Sequence, residues 1–465
     1  MTLFRLAASA ASMIVLAATP VAAQTAAEAQ VLDLSKRAIA LRSVQGPGNQ
    51  SPAVAALFRD ALVAGGWRAE EVEIVPYEDT AYLIATWPGS EPSLGPIVFS
   101  AHLDVVEAKP EDWQRDPFTP VVENGYLYGR GASDTKFDAA LAVASMIELR
   151  RQGFRPRRSI VIAYSGDEET TMATSKIIAE RLKNASLVLN VDGASGTLDE
   201  KTGKPKYWSW QGGEKSYMDF RLEATNDGGH SSAPREDNAL VQLARAIERI
   251  GSHRFAPEVN AITRAYFEKA AAFESDPLKA AAMRAFARDP GDKAAIAVLR
   301  SDPYNTGKIG TTCVPTMASA GHAVNALPQR ATAIVNCRVF PGHSAAEIKT
   351  ELERAAGEPA VTITDITGDT ATVSDASPLD AALVASFERA LAKSWGKVPV
   401  IPMQSSGASD SMWYRALGVP SYGASASFIK ESDDFAHGLD ERVPLVNIKP
   451  GIAFYTALLR ELAAK

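Results

Sequence analysis

The chain has 465 residues, 46% hydrophobic and 22% charged, the composition of a soluble globular protein with more chain than one core usually organises, so two domains are expected. Its formal net charge is −7 and it carries no basic run, which argues against a nucleic-acid partner.

Residues 1–23 read as a secretory signal. Arg5 is the only charge, an apolar run extends from Leu6 to Ala18, and Val21 to Ala23 supply small residues before Gln24. The run is too short to span a bilayer, and no Cys near the cut would take a lipid. The expectation is an exported protein, periplasmic in destination, with no membrane anchor in its mature form.

Three later runs read as buried strands, and each is followed by polar residues. Pro96 to Ala101 precedes His102 and Asp104, Ser159 to Tyr164 precedes Glu168 and Glu169, and Leu187 to Val191 precedes Asp192. Runs of β-branched and aliphatic residues without alternation suit a central sheet covered on both faces in an α/β domain. Ligand sites on such sheets gather at strand ends, so the three segments can converge. Two further segments belong with them: Gly129 to Asp134, and His437 between Ala436 and Gly438. Two His, two Asp and one Glu are enough to hold two metal ions that share a carboxylate, with a second Glu left as a base.

Residues 214–374 contain none of these segments. They read as a strand (Tyr217 to Ala224), a helix (Asn238 to Ile250), two paired strands (Ile309 to Met317 and Ala331 to Val339), a helix (Ala345 to Ala355) and a strand (Val361 to Thr364). That order predicts an α+β unit of ferredoxin-like type. Residues 257–300 add an Ala-rich helical insertion, and Asp302 to Thr306 read as a turn-prone link. Cys313 and Cys337 are equidistant from Asn325, inside the connection between the paired strands. A simple antiparallel register brings them close, as a disulfide or as two buried thiols.

In combination the five segments resemble the M20 metallopeptidases, a family of carboxypeptidases, dipeptidases, aminoacylases and deacylases. The resemblance runs from about Asp33 to the C-terminus. It implies an α/β catalytic domain with a central, mostly parallel sheet (residues 24–213 and 375–465) and an inserted α+β lid or dimerisation domain (214–374). It implies two Zn2+ per chain, with Co2+ or Mn2+ as substitutes. One ion is held by His102, Asp134 and Asp192, the other by Asp134, Glu169 and His437, so that Asp134 bridges. Glu168 is the implied general base, Asp104 orients His102, and the bond after Asp134 is cis.

A metal-bound His usually passes its second ring proton to a carboxylate, which Asp104 is placed to accept. The resemblance gives His230, in the Gly228 to Pro234 stretch, a role at the oxyanion, often across a homodimer formed through the lid. Arg338 and Asn325 are the implied substrate-binding residues; a guanidinium forks well onto a carboxylate. The acidic residue common two positions before such an Arg is here Asn336. His253, His322 and His343 read as surface or loop residues. The expected activity is hydrolysis of the amide bond beside a free C-terminal amino acid in dipeptides or short peptides. Gly407 to Asp410 resembles a loop of the acylase and carboxypeptidase branches, so an N-acyl-amino-acid amidohydrolase is the alternative. A non-catalytic binding protein on the same scaffold is a third reading.

Overall fold

The computed structural model describes residues 24–369 and 372–464. The expected signal segment lies outside them. A ten-stranded sheet organises most of the chain, and its middle is parallel. Strand Ile97–His102 lies between Ile160–Ser165 and Leu187–Asn190, parallel to both, and Ser421–Gly423 continues in parallel beyond Leu187–Asn190. Antiparallel strands flank this centre: the hairpin Val72–Tyr77 and Thr80–Trp87 on one side, Pro205–Glu214 on the other.

Every residue of Ile97–His102 and Ile160–Ser165 is buried. The two faces explain why these runs do not alternate in polarity. Phe99, Ala101 and Ile162 meet a core shared with helices Lys136–Arg151 and Ile448–Leu462, whereas Val98, Val161 and Ala163 meet Ile178, Met412 and Trp413 on the other side. Because the central strands run in parallel, His102, the Glu168 turn and Asp192 leave the sheet at the same edge.

A second sheet has four antiparallel strands in the order Thr312–Ala320, Arg330–Val339, Ser216–Thr225, Val361–Asp365. Helices Ala239–Ser252 and Ala345–Ala356 pack with it around a separate core that includes Phe220, Leu222, Leu243, Val335 and Leu352. Asn238 caps the first helix through Leu240 N and Val241 N, and Ser344 with Glu347 forms a capping box on the second. Cys313 and Cys337 are direct register partners and form a disulfide, with Cα atoms 4.0 Å apart.

The Ala-rich segment forms helices Ala261–Ala270, Pro277–Arg288 and Lys293–Arg300, which share a small core of Phe267, Met283, Phe286 and Leu299. The first of these helices docks on the large sheet. Ile262 joins its core, Asn260 Nδ2 donates to Gln404 Oε1 at 2.7 Å, and Lys269 Nζ donates to Val400 O at 3.2 Å, both acceptors lying on strand Val400–Ser405. The expected link after them is instead the start of helix Pro303–Lys308. Asp302 accepts from Tyr304 N as its cap, and Pro303 stands where a missing N–H costs nothing, so one Asp-Pro pair serves a helix start as readily as a turn.

Candidate metal centre and catalytic site

His102 closes its strand fully buried, and Nε2 lies 2.8 Å from Asp134 Oδ1 and 3.8 Å from Asp192 Oδ2. On the other side of Asp134, Oδ2 is 3.1 Å from His437 Nε2, which is also 2.9 Å from Glu169 Oε1. Asp134 therefore stands between the two imidazoles. Two groups of donor atoms, His102 with Glu168 and Asp192, and His102 with Asp134 and Glu169, lie mutually within 4.8 Å. Glu168 is thus as close to the cluster as a ligand would be. The bond between Asp134 and Thr135 is cis.

The geometry of Asp104 differs from the expectation. His102 Nδ1 lies 3.0 Å from the Asp104 backbone carbonyl and 3.7 Å from its carboxylate. The carboxylate instead accepts from Glu168 N at 3.1 Å and Glu169 N at 3.0 Å. One residue thus fixes both the His102 ring, through its carbonyl, and the Glu pair, through its side chain.

Two acidic residues that sequence reasoning did not single out as functional complete the frame. Glu441, fully buried, accepts from Arg130 Nη1 at 2.7 Å, Ser133 N at 2.7 Å, and Gly131 N and Asp134 N at 3.1 Å. Arg130 Nη2 also reaches His437 O at 3.3 Å, so one buried ion pair ties the Asp134 loop to the His437 loop. His437 itself has φ 61°, a left-handed conformation uncommon outside glycine and concentrated at functional sites. Asp410, buried beneath the cluster, is hydrogen-bonded by Ser165 Oγ at 2.9 Å. Glu441 follows His437 by four residues, but nothing in the residue pattern marks it as buried.

Burial, together with the charges of Asp192, Asp410 and Glu169, raises the Glu168 carboxyl well above the usual range. Burial and Asp134 do the same for Asp192. Burial works against charge on His102, yet Asp134 and Asp192 raise its pKa well above that of a free imidazole. His437 is raised to about 10 by Asp134 and Glu169. Asp134 is held low by the two imidazoles despite its burial. The cluster therefore concentrates more buried carboxylate than two imidazoles neutralise. Oxygen and imidazole donors around surplus negative charge are the donor set that divalent zinc takes, and the residues fit a pair of such ions.

The remaining expected residues lie on the second sheet and its arms. His230 is exposed, with Nδ1 2.8 Å from Ser232 Oγ, and pairs with Ala326 in a short ladder. Ser231 N donates to Asn325 O at 3.0 Å, so His230 and Asn325 share one arm. Arg338 is half-buried, 4.8 Å over the Tyr217 ring. Tyr217 Oη donates to Asp219 Oδ2 at 2.6 Å, and Asn336 Nδ2 donates to Asp219 Oδ1 at 2.8 Å. Asp219, from the neighbouring strand, thus supplies the acidic group missing at Asn336. The metal cluster is not in hydrogen-bond contact with any of these three residues. His253 pairs with Glu351 and His343 with Glu258, while His322 is exposed.

Residues 98–461 match the model of Peptidase family M20/M25/M40. The protein named "Probable carboxypeptidase S-like 2" of Dictyostelium discoideum is 27% identical over 393 residues, 81% of this chain and 74% of its own length. N-fatty-acyl-amino acid synthase/hydrolase PM20D1 of Mus musculus is 30% identical over 274 residues, 57% of this chain and 53% of its own. Among solved structures, the M20 family metallo-carboxypeptidase Sso-CP2 from Sulfolobus solfataricus superposes with a TM-score of 0.68 at 19% identity, covering 93% of this chain and 98% of that one. YXEP of Bacillus subtilis, described as a dinuclear metal binding peptidase, has a TM-score of 0.58 at 13% identity over 94% of this chain and 99% of that one. With the family model matched over most of its length, the chain belongs to peptidase family M20/M25/M40, a family of metal-dependent peptidases and amidohydrolases.

Proposed function

We propose that the protein is an exported, two-zinc exopeptidase that hydrolyses the amide bond beside a free C-terminal amino acid in dipeptides or short peptides. The observation that carries this reading is the convergence of His102, Asp134, Asp192, Glu169 and His437, with Glu168 beside them. His102, Asp134 and Asp192 would hold one ion, and Asp134, Glu169 and His437 the other. Such a pair supplies Lewis-acid polarisation and lowers the pKa of a nearby water. Glu168, anchored through its amide to Asp104, takes the water's proton as general base and returns it to the leaving amine.

In this reading the four-stranded unit is a lid that also pairs copies of the chain. Arg338, oriented by Tyr217, anchors the substrate carboxylate, with Asn325 assisting. His230 donates to the developing oxyanion, brought to the cluster by lid closure or by a second subunit. The signal-like residues 1–23 support export, and among the described residues no helix is long and apolar enough to cross a membrane.

A second reading, hydrolysis of N-acyl amino acids, is favoured by the mouse relative's named activity and by the Gly407 to Asp410 loop. The deciding experiment is a panel of dipeptides and N-acyl amino acids assayed with zinc and again with a chelator. The proposal expects chelator-sensitive release of the C-terminal residue from dipeptides; hydrolysis of N-acyl amino acids alone would select the second reading. Protein that retains two zinc ions yet hydrolyses neither class would overturn both.

A further inference from the structure

A small cleft of about 210 Å3 opens directly onto Asp134 and Asp192. Beside it lies a larger cavity of about 560 Å3, within the ~300–1,000 Å3 range of ligand pockets. The two share Ala194, Ser195, Ile429 and Asp434 as walls, so a group leaving the metal cluster on that side enters the larger cavity. Four aromatic rings line it. Tyr266, Phe273 and Tyr304 come from the helical segment, and Tyr207 with Ile401 and Met403 comes from the large sheet. Tyr207 and Phe273 pack with ring centroids 5.1 Å apart.

Charged side chains line the cavity as well: Lys206, Glu274, Asp302, Glu431 and Asp434. Asp434 stands on the shared wall with Glu431 nearby, and no salt bridge engages either carboxylate among the described residues. In a dipeptide, both the side chain and the free ammonium branch from the carbon next to the scissile carbonyl. A carboxylate at the threshold and rings beyond it match those two branches. A long alkyl chain would match poorly, because it would desolvate Ser195, Glu431 and Asp434 without pairing them.

Resting on the amide-hydrolase reading above, we propose that this cavity is the subsite for the residue on the acyl side of the scissile bond. It selects a large aromatic side chain whose free ammonium faces Asp434. Ring-to-ring packing provides the preference for an aromatic group, and the ammonium gains the Asp434 carboxylate.

The test compares Phe-Leu, Ala-Leu, N-acetyl-Phe-Leu and N-dodecanoyl-Leu on the zinc-loaded wild type and on Tyr304→Ala, Tyr207→Ala and Asp434→Asn. Tyr304 is largely exposed, so its truncation leaves the fold intact. Wild type should prefer Phe-Leu to Ala-Leu by about tenfold or more in kcat/KM. Tyr304→Ala and Tyr207→Ala should erase most of that preference while leaving Ala-Leu within about twofold. Asp434→Asn should weaken both free dipeptides and leave N-acetyl-Phe-Leu unchanged. An unaltered Phe-to-Ala ratio in both tyrosine variants, or a wild-type preference for N-dodecanoyl-Leu over Phe-Leu, overturns the proposal. Calorimetric binding of Phe-Leu and Ala-Leu to Glu168→Gln protein, with and without Tyr304→Ala, separates the two levels. If no substrate turns over, the hydrolase reading falls, and selective loss of Phe-Leu binding upholds the subsite whereas equal binding refutes it.

Discussion

Glu441→Ala should be among the most damaging single changes outside the metal donors. The carboxylate is 0% exposed and its partner guanidinium, Arg130, is 3% exposed. Removing one member of a buried ion pair leaves an uncompensated charge, at a cost of about 3–5 kcal/mol. The amides of Gly131, Ser133 and Asp134 lose their acceptor as well. Each orphaned donor costs ~1–3 kcal/mol in isolation, but water entering the vacated space would satisfy some of them. The net expectation is a loss of about 4 kcal/mol or slightly more. Urea unfolding of the zinc-free protein reads this as a midpoint lowered by roughly 1 M, taking m at or above the upper value for small proteins. Glu441→Gln keeps the shape and should lose about half as much. A double change, Arg130→Met with Glu441→Leu, should recover the charge cost and leave the cost of the amides. Because those amides shape the loop that ends in Asp134, the zinc affinity of Glu441→Ala should also fall. A loss below about 1 kcal/mol with unchanged zinc affinity would refute the argument that this pair frames the site.

Four further outcomes are expected. Glu168→Gln should abolish nearly all turnover while keeping its zinc and Glu169→Gln should lose both, as read by elemental analysis beside the activity assay; equal metal loss would end the division into base and ligand. Arg338→Ala should raise KM steeply for substrates with a free carboxylate, and amidated substrates, poor with wild type, should differ little from free acids in the variant. Reduction of the Cys313–Cys337 disulfide, whose sequence separation is 24, should cost about 3 kcal/mol by the loop-entropy relation, seen as a lower unfolding midpoint in dithiothreitol. Asp138, whose carboxyl is raised from 3.8 to about 7 by burial despite hydrogen bonds from Ser425 and Ser427, should impose a pH dependence. Since its folded pKa exceeds the unfolded one, its stabilising contribution is complete below about pH 4 and is lost as pH rises through about 7. Asp138→Asn should therefore differ least from wild type near pH 4 and gain on it steadily toward pH 8; a difference between the two midpoints that does not change with pH would contradict this.

The metal segments were legible because each follows a run buried on both faces, and parallel strands deliver their ends to one edge. The pairing of Cys313 with Cys337 was legible as a register, since both strands and their connection could be read. The partners that hold the site were not. Asp104 gives its carboxylate to two backbone amides and its carbonyl to His102, a division of labour set by the path of the Glu168 turn. Glu441 and Asp410 are buried carboxylates whose partners come from segments about 310 and 245 residues away in sequence. Single-sequence spacing carries no trace of contacts made across such separations. Nor did the composition of the Ala-rich segment reveal its docking surface, because that depends on where Asn260, Ile262 and Lys269 meet strand Val400–Ser405.

On the proposed reading, that docking divides the substrate's handholds between two bodies. The aromatic wall of the larger cavity is fastened to the same sheet that carries His102 and Asp192. Arg338, His230 and Asn325 belong to that other unit, with its own core. On the proposed reading, a substrate is sorted by its acyl-side group before its carboxylate is gripped. Discrimination at one end and commitment at the other become separately adjustable, and a change in the helical segment can retune preference without disturbing the grip.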